Sequence, residues 1–389
     1  IAANEEEATE YFKLAADNGN PEAMYRYACI IESFDEKESF LYYKMSAHEG
    51  NNQAIDKYLS LLNQEKVSPV SKEELAKYYK ISADYGNIDS MNKYASIVMH
   101  GDGIPANKTE ASKYYKMSAD KGDPCGLNGY ACILMNEGHK DKACQFFKTS
   151  ADKGDLNGMN NYASMLFKGD GVPMNKEEAA KYFKMAAEGF NVNAMKNYAI
   201  VLEKGEGVPV DKVEAAKYYK MAADEGNVYS MKNYALLSYY GDGGVKIDKK
   251  EAAKYFKMAA IKGDVISMNF YGCLLEVGDG VAADIYEAIK YYKMAVDKGN
   301  IVAMDNLATL LSNNAEIPEF KNGAIFYFKM AIKHGHAASM YKYGRFLLNN
   351  ENNEIAKDEA LMYIKMASDN GYPDAIAFCE QLKIKREKW

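Results

Sequence analysis

The stretch Asp211–Asn227, DKVEAAKYYKMAADEGN, decides the fold, because the rest of the chain is a set of variations on it. Its centre is an aromatic pair followed by lysine. The second ring of that pair falls at Phe12, Tyr43, Tyr79, Tyr115, Phe147, Phe183, Tyr219, Phe256, Tyr292 and Phe328, with Ile364 in the eleventh place. Successive spacings are 31, 36, 36, 32, 36, 36, 37, 36, 36 and 36 residues, so one unit is copied with small length changes. A fixed period of this size marks a solenoid, in which each unit buries its apolar side only against its neighbours. The expectation is an all-α, right-handed α-α superhelix of about eleven helix hairpins, running through residues 1–389 as one elongated domain.

Within one copy, Met195, Tyr198, Ala199 and Leu202 stand at i, i+3, i+4 and i+7, the apolar stripe of an amphipathic first helix. Gly205-Glu206-Gly207-Val208-Pro209 breaks it, since glycine accepts left-handed backbone and proline cannot continue the ladder. Asp211 and Glu214 then form a capping box, Asp211 taking orphan amides and Glu214 reaching back to the cap. A second helix follows, with Ala215, Tyr218, Tyr219 and Ala222 inward and Lys217 and Lys220 expected in water. Gly226 ends it as the left-handed C′ residue.

The same grammar recurs at the caps Ser71, Asn107, Asn175, Asp248 and Asp284, each worth about 1 kcal/mol. The terminating glycine recurs at Gly19, Gly50, Gly86, Gly122, Gly154, Gly263, Gly299, Gly335 and Gly371. It fails once, at Phe190, where a changed helix ending is expected, because holding a bulky side chain left-handed costs about 1–2 kcal/mol.

Hydrophobic residues at 48% and charged residues at 26% suit a core-forming chain, and no apolar run approaches the roughly 18 residues a membrane helix requires. The net charge is -7, and only Arg26, Arg345 and Arg386 supply guanidinium forks, which argues against nucleic acid. The segment from Ile1 to Ala16 reads as the second half of a repeat, so the sequence starts mid-repeat, and a targeting signal could have stood upstream.

Ala-Met-x-x-Tyr-Ala, then Gly-x-Gly-Val, then Glu-Ala-x-x-Tyr-Tyr-x-x-Ala-Ala-Asp-x-Gly-Asn resembles the Sel-1-like repeat family, a cousin of the tetratricopeptide repeat. The loop signature stands at Gly101–Pro105, Gly169–Pro173, Gly205–Pro209, Gly241–Val245 and Gly278–Val281. The resemblance implies a right-handed superhelix of antiparallel helix pairs, first helices lining a concave face, in proteins that act as adaptors or scaffolds. It also includes a secreted branch stapled by disulfides, but the stapled places here hold Ala223 and Met231. Cys29, Cys125, Cys132, Cys144, Cys273 and Cys379 read mostly as small core residues, free thiols in a reducing cytoplasm, with Cys132 and Cys144 the pair best placed should a bridge form.

Catalysis finds little support. The Gly-x-Gly stretches follow helices rather than strands, and the acids inside them, Asp102, Asp170, Glu206, Asp242 and Asp279, would repel phosphate. His48, His100, His139, His334 and His336 show no metal spacing beyond the last two, which sit at a helix end. No cofactor and no metal are implied. The sequon Asn107-Lys108-Thr109 is matched by the helix-cap reading of the same asparagine.

Partner binding is sought on first-helix positions that packing leaves unspecified. They carry an asparagine in nearly every repeat, from Asn92-Lys93 through Asn269-Phe270. Asn161, Asn197, Asn233 and Asn306 could form a ladder along the backbone of an extended peptide, with Lys93, Lys196, Lys232 and Lys342 supplying charge. The alternative is that these asparagines solvate a helix face or bond between repeats. Residues 380–389 form a basic helix end, either a polar cap on the solenoid or a dock for an acidic partner through Lys385, Arg386 and Trp389. A non-catalytic interaction scaffold is the expectation. A regulatory or targeting segment of a larger enzyme such as a kinase, and a decoration of a cytoskeletal assembly, stay open beside it.

Overall fold

The computed structural model describes residues 3–63, 71–350 and 353–381. Those residues form twenty-two α-helices and no strand. They fall into two compact units, Ile1–Asn191 and Val192–Trp389. The first begins with the helix Ala3–Asp17 and continues as the pairs Pro21–Ile31 with Glu36–His48, Asn52–Asn63 with Lys72–Asp84, Ile88–His100 with Lys108–Asp120, Pro124–Asn136 with Lys140–Asp152, and Leu156–Lys168 with Lys176–Glu188. The second repeats the plan: Val192–Lys204 with Lys212–Asp224, Val228–Tyr240 with Lys249–Ile261, Val265–Val277 with Ile285–Asp297, Ile301–Ser312 with Pro318–Lys333, Ala337–Asn350 with Glu354–Asp369, then Pro373–Gln381. Within each unit every helix packs chiefly on the helices before and after it, the pattern of an α-α solenoid.

Length variation stays in one connection. The turn between the helices of a pair covers residues 205–211 in the full form but only 32–35 and 137–139 in the two short repeats. The expected stripes form the core, with Met195, Tyr198, Ala199, Leu202, Ala215, Tyr218, Tyr219 and Ala222 all buried. Small residues let paired helices approach, and rings fill what remains. In most pairs the first ring of the aromatic pair meets a first-helix tyrosine edge-on, as in Tyr94–Tyr114 at 4.8 Å, Tyr198–Tyr218 at 4.9 Å and Tyr271–Tyr291 at 4.7 Å, whereas Tyr327 has Leu307 at that place. Such pairs add about 0.5–1.5 kcal/mol each beyond the area they bury.

Caps accept amides as expected, and at Asn175 the box closes on both sides, its Nδ2 donating to Glu178 at 3.0 Å. Asn107, Asp211 and Asp248 accept the amides of Glu110, Glu214 and Glu251. The carboxylates of Glu110 and Glu251 do not turn back to the cap, however, but reach the preceding repeat, where Lys80 and Lys220 each sit at 2.6 Å. Lys220 is therefore not a solvated side chain. It also lies 5.2 Å and 5.0 Å from the ring centroids of Tyr234 and Tyr255.

Phe190 also departs from expectation. It is the one non-glycine residue with positive φ among those described, at 66°, and the helix ends there just as it does elsewhere. Its amide donates to Ala187 O at 3.0 Å and that of Asn191 to Ala186 O at 3.0 Å, matching Gly226 to Ala223 and Asn227 to Ala222 at 2.9 Å each. Hydrogen-bonded termination outweighs the strain of a left-handed phenylalanine. Its ring is 72% exposed, so packing does not offset that strain.

Candidate functional site

Each Gly-x-Gly turn is built by the repeat before it. Gly101, Gly169, Gly241 and Gly278 cap their helices in the left-handed region. The second glycine lies against the start of the previous second helix: a Cβ on Gly103 would come within 2.3 Å of Lys72 Cβ, and one on Gly280 within 2.2 Å of the Lys249 carbonyl. The acid between the glycines pairs with that same lysine, in Lys72–Asp102, Lys140–Asp170 at 2.7 Å, Lys212–Asp242 at 2.5 Å and Lys249–Asp279 at 2.7 Å. Neighbouring protein occupies the place a phosphate would take.

The Ala-Ala-Asp ending has a matching role. Its acid accepts the hydroxyl of the next repeat's first ring, in Tyr42–Asp17, Tyr114–Asp84 at 2.5 Å, Tyr182–Asp152 at 3.3 Å and Tyr255–Asp224. The hydrogen bond to Asp17, aided by burial, pushes the Tyr42 hydroxyl up to about 12. The second ring is held inside its own pair, as Tyr219 donates to Glu203 and Tyr292 to Glu276, both at 2.7 Å. Burial first, and these hydrogen bonds second, raise the Tyr219 hydroxyl far above its ordinary range.

First helices of successive pairs touch within each unit, Ile88–His100 on Pro124–Asn136 on Leu156–Lys168, and Val265–Val277 on Ile301–Ser312 on Ala337–Asn350. Their facing positions carry the asparagine row. Asn161 donates to Asn128 Oδ1 at 2.9 Å, and Asn306 donates to Asn269 Oδ1 at 3.0 Å, so carboxamides one repeat apart are linked. Asn233 instead donates to the Tyr229 carbonyl of its own helix at 2.8 Å, and Asn197 is half-buried on Val192–Lys204 beside half-buried Lys196. Lys93 pairs with Asp89 at 2.9 Å, and Lys232 lies 5.2 Å from the Tyr229 ring centroid. Lys342 pairs at 2.5 Å with Asp305, the one charged side chain buried among the described residues. Lys385, Arg386 and Trp389 lie outside the described residues.

Asp305 gathers further partners that sequence separation hid. Ser339 donates to it at 2.6 Å, and His336 Nδ1 stands 2.9 Å from Ser339 Oγ and 3.8 Å from Asp305 Oδ1. These are the residue types of a hydrolytic triad in an unsuitable order, because the fully buried serine hydroxyl is committed to the carboxylate. Among the described residues, no group of His, Cys, Asp and Glu could hold a metal ion. All six cysteines are free, and Cys29 and Cys125 are exposed rather than in the core. Cys132 instead lies beside Asn161, whose Nδ2 is 3.9 Å from its sulfur, in a cleft of about 280 Å3 that also takes in Met135, Met165, Lys168 and Asp170.

The Sel1 repeat model matches residues 1–20, 21–51, 88–123, 156–189, 192–227, 228–264, 265–300, 321–336 and 337–372, which is most of the sequence. The chain belongs to the Sel1 repeat family. Among solved structures, this Sel1 repeat protein is similar to a protective antigen present in uropathogenic Escherichia coli strains that displays an SLR fold, with a TM-score of 0.69 and 19% identity over 97% of this chain and 84% of that one. It is also similar to a Sel1 repeat protein from Oxalobacter formigenes, with a TM-score of 0.61 and 22% identity over 77% of this chain and 90% of that one. At these identities the likeness is one of fold. No curated protein matches the sequence. Sel1 and related tetratricopeptide-like repeats generally serve as protein-interaction scaffolds. Among the described residues, no helix is long and apolar enough to cross a membrane.

Proposed function

We propose that this Sel1 repeat protein is a non-catalytic adaptor that holds extended segments of partner proteins along its first helices. The observation that carries this reading is the linked carboxamide row, Asn128 with Asn161 and Asn269 with Asn306, in which each bond uses one donor and one acceptor. A carboxamide offers two donors and two acceptor lone pairs, so each link retains capacity to bond a peptide backbone without reading its side chains. The linking bonds also fix the rotamers, which lowers the entropy lost on binding. The cleft beside Asn161, with Met135 and Met165 on its walls and Lys168 and Asp170 at its edge, provides a place for an apolar side chain of such a segment.

Within the second unit Asn197 and Asn233 stand on first helices at the same register as Asn306, with Lys196, Lys232 and Lys342 beside them, and Lys93 stands on a first helix of the first unit. A non-catalytic role is supported by the commitments already described: glycine turns filled by neighbouring lysines, and a Ser339 hydroxyl given to Asp305. Cross-linking of the protein to its partners in native cells, with the linked residues mapped, tests the reading. Cross-links to residues on the first helices, together with at least about tenfold weaker binding by Asn161→Ala plus Asn306→Ala, are expected. A footprint confined to the second helices, or unchanged affinity in that variant, overturns it.

A further inference from the structure

Between the helix Lys249–Ile261 and the following turn at Gly278–Ala282 lies a cleft of about 910 Å3, lined in part by Lys250, Lys254, Lys257 and Tyr271. Its acids are already engaged. Asp248 caps the helix by accepting the Glu251 amide at 2.9 Å, and Glu251 is held by Lys220 at 2.6 Å. The three lysines are exposed and form no ion pair among the described residues. Lys254 and Lys257 lie 5.0 Å and 5.8 Å from the ring centroids of Tyr255 and Tyr271.

The other unit contains a corresponding cleft of about 520 Å3, with Ser71 in the place of Asp248, Lys77 and Lys80 in the places of Lys254 and Lys257, and Tyr94 in that of Tyr271. Three differences set its charge, the first being that uncharged Ser71 replaces the acid Asp248. Glu73 occupies the position of Lys250, and Lys80 is neutralised by Glu110 at 2.6 Å. The same architecture is thus balanced in one unit and cationic in the other. This position of the second helix carries an acid in Glu73, Asp141 and Glu177 and a lysine in Lys37 and Lys250, so its charge varies from repeat to repeat.

We infer that the cleft at Lys250, Lys254 and Lys257 is a second docking site, distinct from the first-helix face, that takes the carboxylate side chains of an acidic peptide segment. Local charge complementarity selects the occupant: three unneutralised ammonium groups around one cleft attract carboxylates. The chain as a whole carries -7, which repels a long uniform polyanion such as nucleic acid, whereas a short acidic segment presents its charge only to the cleft.

Binding of a fluorescently labelled oligoglutamate peptide to the full chain, followed by anisotropy at low and at physiological salt, tests this. Lys250→Glu, which places an acid at an exposed position where the counterpart cleft carries Glu73, is expected to weaken binding about tenfold with an unchanged melting temperature, and Glu73→Lys to create a second binding site. Added salt is expected to weaken binding to the unmodified protein. Equal affinity of the unmodified protein and Lys250→Glu, or an equal loss on reversing a lysine outside the cleft such as Lys121 of the other unit, overturns the assignment. So does a single-stranded oligonucleotide that binds the same cleft more tightly than the peptide.

Discussion

The hydroxyl of Tyr114 donates to Asp84 at 2.5 Å, joining the aromatic pair of one repeat to the last turn of the preceding second helix. The tyrosine is 1% exposed while its oxygen reaches an acid at the surface, so a buried ring is held by a bond that crosses between repeats. Tyr114→Phe is expected to cost about 1–2 kcal/mol, the usual loss for a bond to a charged acceptor that water can still reach. Urea unfolding of Tyr114→Phe, Asp84→Ala and the double variant measures it. Additive losses would show that the two groups are not coupled.

The same kind of bond sets a dependence on pH. The Tyr42 hydroxyl rises from 10.0 to about 12 in the folded protein because it donates a hydrogen bond to the Asp17 carboxylate and because it is buried. The folded state therefore retains the proton over a range where the unfolded chain releases it. The resulting stabilisation is complete below pH 10 and is lost as pH rises through about 12. Chemical denaturation across this range should show falling stability, with a shallower slope in Tyr42→Phe.

An acid-side counterpart lies at Glu110, whose carboxyl is held below its ordinary range first by Lys80 and then by the Tyr94 hydroxyl. Its contribution is present above the unfolded carboxyl value of 4.5 and disappears as pH falls through the lower folded one. Glu110→Gln should reduce stability at neutral pH and flatten the acid limb of the stability profile.

Glycines with similar backbone angles should differ in their tolerance of a side chain. Gly103, at φ 81°, has Lys72 Cβ only 2.3 Å from where its own Cβ would stand, whereas Gly19, at φ 89°, has nothing within 4 Å. Alanine at Gly19 should cost about 1 kcal/mol from backbone strain alone. Alanine at Gly103 should cost about 2–4 kcal/mol, because the turn must also move off the preceding helix. Thermal unfolding of the two variants separates strain from collision.

Phe190→Gly is expected to stabilise the protein by about 1–2 kcal/mol, since it removes a left-handed phenylalanine whose exposed ring contributes little packing. A melting temperature at or below that of the unmodified protein would mean that the ring is held by contacts offsetting its strain.

The asparagine row shows where local pattern stops being informative. Asn161, Asn197, Asn233 and Asn306 look equivalent in sequence, yet Asn161 and Asn306 bond to the preceding repeat while Asn233 bonds within its own helix. Lys220 likewise looked solvated and proved to be tied to Glu251. One signal was available: lysine and acid thirty residues apart recur in Lys72–Asp102, Lys140–Asp170, Lys212–Asp242 and Lys249–Asp279. The gathering of Asp305, His336, Ser339 and Lys342 has one register counterpart, Asp56 with Asn87, Ser90 and Lys93, where Asp56 accepts the Asn87 side-chain amide at 3.1 Å and the Ser82 hydroxyl at 2.6 Å.

Sequence alone determined the helices, their pairing, their buried stripes and their ends, save the ending at Phe190. Those features depend on the 3.6-residue turn, on amide capping and on left-handed glycine, all of which act within a few residues. Only tertiary structure decided which charges and carboxamides meet across repeats, and that the cleft at Lys250 is cationic while its counterpart at Glu73 is balanced. Those outcomes depend on how one helix pair is seated on the next, a geometry set by the summed packing of many side chains.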